Sequence, residues 1–353
     1  MYEKKIIMGI KKISKGIDLS MDESEGIMRE IMSGNVSESQ LGALLMGLTM
    51  KGEHIDEITG FAKVMREFAN EITPQIRYEL LDTCGTGGDK VKTFNISTLT
   101  AIIAAAAGIP VAKHGNRAVT SKCGSADLLE QLGIKIDLPP KEVEKCIENI
   151  GIGFMYAPLF HPAMKYAMPT RKALKIRTIF NILGPLTNPA GVKNQVSGVF
   201  QKDLVQILAK VLNRLGARHI ITVYNSYGID ELAPTGINYL CECKDGFIHS
   251  YAITNEDFGL KECSINEITI KDPNENRLIA LKLLKGEIND ARLDTVLMNS
   301  SAALVCADIA DDFKEGVEIA RNIIEEGIAF KKLEEFVSFT GGNPKKLNLT
   351  ITA

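Results

Sequence analysis

Apolar residues recur at helical spacing through the first seventy or so positions and then give way to short strand-like runs, so periodicity alone divides the chain. Ile6, Ile7, Ile10 and Ile13 share one face of a first helix. Ser20 with Glu23, and Ser37 with Gln40, have capping-box spacing ahead of the stripes Ile27/Met28/Ile31 and Leu41/Leu44/Leu45/Leu48, an arrangement that satisfies two otherwise orphaned N–H groups at each helix start. Gly34 and Gly52 supply stops. Four short helices are predicted over residues 1–70, their stripes serving as packing core or subunit interface.

From about residue 75 strands and helices alternate. Leu80-Leu81 ends a strand, an alanine-rich helix runs over 97–107 with Gly108 as its stop, and 110–112 is the next strand, which makes one βαβ-like unit. Strands at 195–200 and 220–223 bracket a helix through Leu204, Leu208 and Leu212, and strands at 238–243 and 247–252 flank Asp245-Gly246 as a hairpin. Pro158, Pro162, Pro169, Pro185 and Pro189 keep 154–190 from forming one helix. That segment also holds His161, Arg171 and Arg177 and is expected to form one wall of a cleft. The expected fold class is α/β. A small N-terminal α-helical domain, 1–72, joined by part of 160–190, precedes a larger α/β domain, 73–353, with a central mostly parallel sheet flanked by helices.

Composition narrows the function without naming it. With 353 residues, 45% hydrophobic and 24% charged, the chain has the size and balance of a soluble globular protein with a sizeable core. A formal charge of −3 gives no global attraction for nucleic acid or an acidic membrane surface. Any anion site must be built locally. Seven cysteines lack disulfide-framework or zinc-ribbon spacing, and Cys241-x-Cys243 is at most a pair on one strand face, so reduced thiols and a cytoplasmic location are expected. No apolar run reaches membrane-spanning length.

The chemistry concentrates in Asp82-Thr83-Cys84-Gly85-Thr86-Gly87-Gly88-Asp89, followed by Thr93-Phe94-Asn95-Ile96-Ser97-Thr98 and by Lys113-His114-Gly115-Asn116-Arg117. Three glycines let the backbone turn its N–H groups inward, and a helix opening at Ser97 offers its amino end to an anion. Lys113 and Arg117 are expected to add mobile positive charge. Neither usual nucleotide motif is present, because Asp89 and Lys90 follow the glycines. A carboxylate beside phosphates calls for an intervening cation or ligand hydroxyl.

These motifs, with GSAD at 124–127, GIGFMYAP at 151–158, HPAM at 161–164, MPTR at 168–171, RTIFNILGPLTNP at 177–189 and Asp230-Glu231, resemble the anthranilate phosphoribosyltransferases of tryptophan biosynthesis along nearly the whole chain. The resemblance implies transfer of a phosphoribosyl group from 5-phosphoribosyl 1-pyrophosphate (PRPP) to the amine of anthranilate, with Mg2+ as cofactor and a homodimer formed through the helical domain. It implies donor contacts at Gly85, Gly88, Asp89, Thr93, Asn95, Ile96, Ser97, Thr98, Lys113, His114, Gly115, Asn116, Arg117, Ser121 and Ser125. Gly85, Asn116 and Arg171 are implied for anthranilate, and Ser97, Asp230 and Glu231 for the metal, both acids exposed in a cleft. No residue is assigned as acid, base or nucleophile, since the aromatic amine is already neutral near pH 7. Without the resemblance, Asp230-Glu231 reads as a solvated turn.

The chain departs from the family pattern at Tyr166, at Lys175 where glycine is common, and at 223–229, where a Val-His-Gly is usual. These changes bear on the acceptor and leave the donor motif intact. The alternatives are a relative on the same fold with another aromatic acceptor, a nucleoside phosphorylase, or a non-catalytic nucleic-acid-binding paralogue.

Overall fold

The computed structural model describes residues 4–88, 91–118, 123–270, 272 and 275–348. Four helices come first: α1 (Lys5–Ile13), α2 (Met21–Met32), α3 (Glu38–Lys51) and α4 (Ile55–Glu67). Both predicted capping boxes form, at Ser20 with Glu23 and at Ser37 with Gln40. Glycine lets α2 and α4 approach closely, since a Cβ added at Gly60 would lie 2.6 Å from the Met21 carbonyl oxygen and 2.8 Å from Ser24 Cβ.

The remaining chain builds a single seven-stranded sheet. Its strands are β1 (Leu81–Gly85), β2 (Val111–Gly115), β3 (Ile152–Tyr156), β4 (Asn194–Gly198), β5 (His219–Asn225), β6 (Asn238–Lys244) and β7 (Phe247–Ile253), in the order β3-β2-β1-β4-β5-β6-β7. All pairings among β1 to β5 are parallel, and β6 and β7 close one edge as an antiparallel hairpin. Asp245 and Gly246 both take positive φ at its turn, the geometry a two-residue hairpin loop needs to match strand twist. The order reverses between β1 and β4, whose carboxyl ends therefore flank the crevice where ligands bind in open α/β sheets.

Helices cover both faces: α5 (Ile96–Ala106), α6 (Ser125–Gln131), α7 (Pro140–Ile150), α8 (Ala157–Phe160), α9 (Met168–Leu174), α10 (Ile179–Leu183), α11 (Leu204–Arg214), α12 (Glu275–Leu284), α13 (Ala291–Cys306), α14 (Phe313–Glu325) and α15 (Ile328–Phe339). Strand alternation divides the core. Ile221, Val223 and Leu240 pack with α5, α13 and α15, whereas Ile220, Cys241 and Cys243 join α10, α11 and the N-terminal bundle in a second cluster. The bundle and one sheet face thus share a core, and Cys241 and Cys243 do lie on one strand face.

Of the boundaries that differ from expectation, three bear on the glycine loop and its neighbours. β1 does not end at Leu81 but starts there, because it pairs with β4 from Leu81 to Gly85. β2 extends to Gly115 through its pairing with β3, so Lys113 and His114 are strand residues. α5 begins at Ile96, one residue before Ser97.

A Gly60→Val variant should lose about 1–3 kcal/mol of stability through overpacking between α2 and α4. Urea unfolding followed by circular dichroism checks this, and an unchanged midpoint would show that the close approach is dispensable.

Candidate active site

Gly85 and Gly198 are register partners at the carboxyl ends of β1 and β4, and Asp230 crosses both. A Cβ at Gly85 would lie 2.4 Å from Asp230 Oδ2, and one at Gly198 would lie 1.4 Å from the Asp230 carbonyl oxygen. These glycines are required for space. Gly87 and Gly88 are required for conformation, with φ of +66° and +85°, and around Gly87 no atom would obstruct a Cβ.

The acidic pair meets both halves of the cradle. Gly87 N–H donates to Asp230 Oδ2 at 2.8 Å, and Ser97 N–H, in the first turn of α5, donates to Glu231 Oε1 at 3.2 Å. The expected exposed acids are therefore enclosed: Asp230 is 5% exposed and Glu231 half-buried. Burial, with Asp230 beside it, pushes the Glu231 pKa up to about 8. The loop carrying the pair is fixed to α13, where Asn299 Oδ1 accepts from Leu232 N–H at 3.0 Å and Asn299 Nδ2 donates to the Leu232 carbonyl at 2.8 Å. Two adjacent carboxylates with the Ser97 hydroxyl are a hard-oxygen donor set that fits Mg2+ sharing its shell with substrate phosphates and water. Among the described residues no cluster of three or more His, Cys, Asp or Glu exists, so the protein would contribute few ligands.

Lys113 and Arg117 do not supply the mobile charge expected of them. Lys113 points into the protein from β2, is 3% exposed, and donates from Nζ to the Thr83 carbonyl at 2.6 Å. Burial pulls its pKa down and that of Asp82 up, each charge offsetting the effect on the other. Asn188 Nδ2 completes this buried group, donating to Asp82 Oδ2 at 2.7 Å and to the Ala112 carbonyl at 2.9 Å. Arg117 is held by Asp127 and Glu130 of α6, at 2.9 Å each.

The other candidates divide by contact. Gly115, Asn116 and Ser125 come together: a Cβ at Gly115 would lie 2.2 Å from Ser125 Oγ, and Ser125 Oγ donates to the Asn116 carbonyl at 3.4 Å. Asn95 precedes α5, its N–H donating to Asn276 Oδ1 at 3.1 Å and its Nδ2 to the Cys123 carbonyl at 3.3 Å. Ile96 and Thr98 are buried in the first turn of α5. Thr93 instead forms a β-bridge with Thr269. Asp89 and Ser121 lie outside the described residues.

Arg171 projects from α9, half-buried, with Phe180 beneath its guanidinium at 5.1 Å and no carboxylate partner among the described residues. Desolvation lowers its pKa, which makes it a cation in want of an anion. Arg177 donates to the Gly88 carbonyl and thereby ties the proline-rich segment to the glycine loop. His114 and His161 face one another with ring centroids 5.0 Å apart, and neither Nε2 has a partner among the described residues. Burial depresses their pKa values to about 3 and about 4. Asp82 and Asn188 fall within the quoted motifs without a role assigned to them, and Asn299 lies in none of them. The one signal for Asp82 is an acid inside an otherwise uncharged strand.

Residues 9–69 match the helical bundle domain of a glycosyl transferase family, and residues 77–330 match the a/b domain of the same family. The anthranilate phosphoribosyltransferase of Petrotoga mobilis is 50% identical over 331 residues, covering 94% of this chain and 96% of its own length. That of Persephonella marina is 45% identical over 333 residues, covering 94% and 98%. Among solved structures, the enzyme of that name from Thermus thermophilus superposes with a TM-score of 0.88 at 41% identity, covering 94% and 99%. The Saccharomyces cerevisiae enzyme in complex with PRPP and Mg gives 0.88 at 26% identity, covering 96% and 99%.

Two outcomes follow from the geometry. Gly198→Ala should displace the Asp230 loop and abolish activity while leaving the far-ultraviolet spectrum intact; full activity would mean that the loop shifts at no cost. The histidines predict a pH effect on stability. Below about pH 6.5 the unfolded chain takes up a proton at each ring that the folded state refuses. Stability is therefore complete above that pH and falls toward pH 4, by up to about 1.4 kcal/mol per pH unit for each ring. Denaturant titrations between pH 7 and 4.5 should show a shallower fall in His114→Asn/His161→Asn, and identical profiles would refute the effect.

Proposed function

We infer the roles of these residues from one premise: the chain belongs to the anthranilate phosphoribosyltransferase family. It transfers the phosphoribosyl group of PRPP to the amine of anthranilate in tryptophan biosynthesis, giving N-(5-phosphoribosyl)anthranilate and pyrophosphate, with Mg2+ as cofactor. What this chain must supply is anion stabilisation and alignment, because positive charge develops at the ribose C1 as pyrophosphate departs. No covalent nucleophile is needed.

The observation that carries the residue assignment is that one acidic dipeptide satisfies both anion-binding ends of the cradle, Gly87 N–H and Ser97 N–H. We assign these donors to the phosphates of PRPP, lined by Gly85, Gly88, Asn95, Thr98, Asn116 and Ser125. Asp230, Glu231 and Ser97 would hold Mg2+, which when bound neutralises the charge of the leaving pyrophosphate. Lys113 acts from beneath, its charge fixed under the β1 backbone. Arg171 takes the anthranilate carboxylate, with Asn116 and the Gly85 backbone beside it. His114 and His161 are neutral near pH 7, so each ring presents an acceptor nitrogen rather than a cation.

The domain division we adopt, at about residue 72, falls between the two family matches at 9–69 and 77–330; the bundle's core, continuous with α11 and one sheet face, also draws in Ala167, Ile179, Phe180 and Ile182 from 160–190. A homodimer through the bundle suits the exposed Met8, Met46 and Met50 on α1 and α3. All seven cysteines are free thiols, which suits the cytoplasm.

The direct test is product analysis after mixing the protein with Mg2+, PRPP and anthranilate. Arg171→Ala should weaken anthranilate use about ten- to a hundredfold, the worth of a charge-assisted pair of roughly 1.5–3 kcal/mol, with PRPP affinity retained. Loss of PRPP binding with normal acceptor kinetics would overturn the assignment.

A further inference from the structure

No Asp or Glu occurs between Glu148 and Asp203, whereas seven Lys and Arg do. The chain as a whole is acidic, with 44 acids to 41 bases, so the imbalance is local. In the fold four of these cations rest on aromatic faces instead of carboxylates. Arg171 lies over Phe180 at 5.1 Å, Arg177 over Phe200 at 4.5 Å, Lys165 over Tyr166 at 4.9 Å and Lys202 over Tyr239 at 3.4 Å. None of the four has an ion-pair partner among the described residues. An aromatic face orients a cation without cancelling its charge; a carboxylate would cancel it.

Position connects this charge to the cleft. Arg171 and Lys175 are one turn apart at the end of α9, with the exposed Lys172 between them, and the Arg177 guanidinium reaches the Gly88 carbonyl. Phe200, beneath that guanidinium, donates its N–H to Thr86 Oγ1 at 3.0 Å, and Lys202 follows two residues later. Lys175 is the more telling residue. It closes α9 at φ +52°, where a side chain is strained and glycine is not, and its side chain is exposed. The turn itself needs no lysine there.

We propose that this acid-free segment is an electrostatic funnel for the two anionic substrates, with Lys172, Lys175 and Lys202 drawing PRPP and anthranilate toward the cleft without touching the reacting atoms. The proposal rests on the phosphoribosyl-transfer reading. A cleft lined by one sign of charge focuses the field and raises encounter rates, and salt suppresses the effect.

The test compares wild type with Lys172→Gln/Lys175→Gly/Lys202→Gln and with a control of equal charge change on remote surfaces, Lys135→Gln/Lys314→Gln/Lys331→Gln. kcat and kcat/KM for both substrates are measured from about 0.02 to 0.5 M salt, a range over which screening shortens from roughly 20 Å to a few ångströms. The funnel variant should keep its kcat and lose about three- to tenfold in kcat/KM at low salt, with the gap closing at high salt and the control unaffected. Lys175→Gly alone should unfold at an equal or higher temperature. Wild-type kcat/KM at low salt, an equal loss in the control, or a loss that salt does not abolish would each overturn the proposal. A wild type that makes no product would defeat the transfer reading instead, and pyrophosphate binding over the same salt series would then decide the funnel.

Discussion

The site depends on the passage of one aspartate across two glycines. Gly85 and Gly198 end the adjacent strands at which the sheet reverses its order, and Asp230 occupies the space where their side chains would stand. The crevice of an open α/β sheet is usually free for ligand. Here the chain sends an acidic loop into it, anchored by Asn299 on α13. That single approach brings the carboxylates to the glycine loop and the start of α5, from which they are separated by more than a hundred residues in sequence.

Beneath this contact the protein buries charge and compensates it internally. An isolated ammonium or carboxylate in the sheet would be costly, and the arrangement of Lys113, Asp82 and Asn188 spreads the cost over hydrogen bonds to two backbone carbonyls. Lys113 is therefore held in place behind the β1 backbone. A long side chain free in solvent would surrender rotamer entropy on binding a phosphate; this one is ordered beforehand.

Much of this was legible in the sequence, and for identifiable reasons. Helix caps and stripes are local, so Ser20-Glu23 and Ser37-Gln40 announced α2 and α3, and Asp245-Gly246 announced the hairpin. The glycine turn was legible because Gly87 and Gly88 stand where glycine takes positive φ without strain. What stayed hidden depends on pairing between distant segments. The parallel partners of β1 and β2 carry those strands through Cys84 and Lys113, which turned a presumed mobile lysine inward. Arg117 meets Asp127 and Glu130 one helix later, a contact that no motif encodes. The burial of Asp230 follows from the position of Asn299, and sequence spacing says nothing about that position.

The cradle and its surroundings treat charge in opposite ways, and the contrast follows from what each must do. Inside, Gly87 N–H and Ser97 N–H already hold Asp230 and Glu231, so these donors are not left unpaired in a partly buried site, and a phosphate bound there, as proposed, would exchange with those acids. Such an exchange is discriminating, because only a ligand that offers the displaced acids something in return gains by it. Outside, from Glu148 to Asp203, cations are left without carboxylates and are held by Phe180, Phe200, Tyr166 and Tyr239. Charge that is oriented but not neutralised acts over distance, whereas the interior contacts act only within hydrogen-bond reach. On the funnel proposal, a weakly acidic chain collects two anionic substrates without a basic surface as a whole, because the attraction is confined to the one segment that borders the glycine loop.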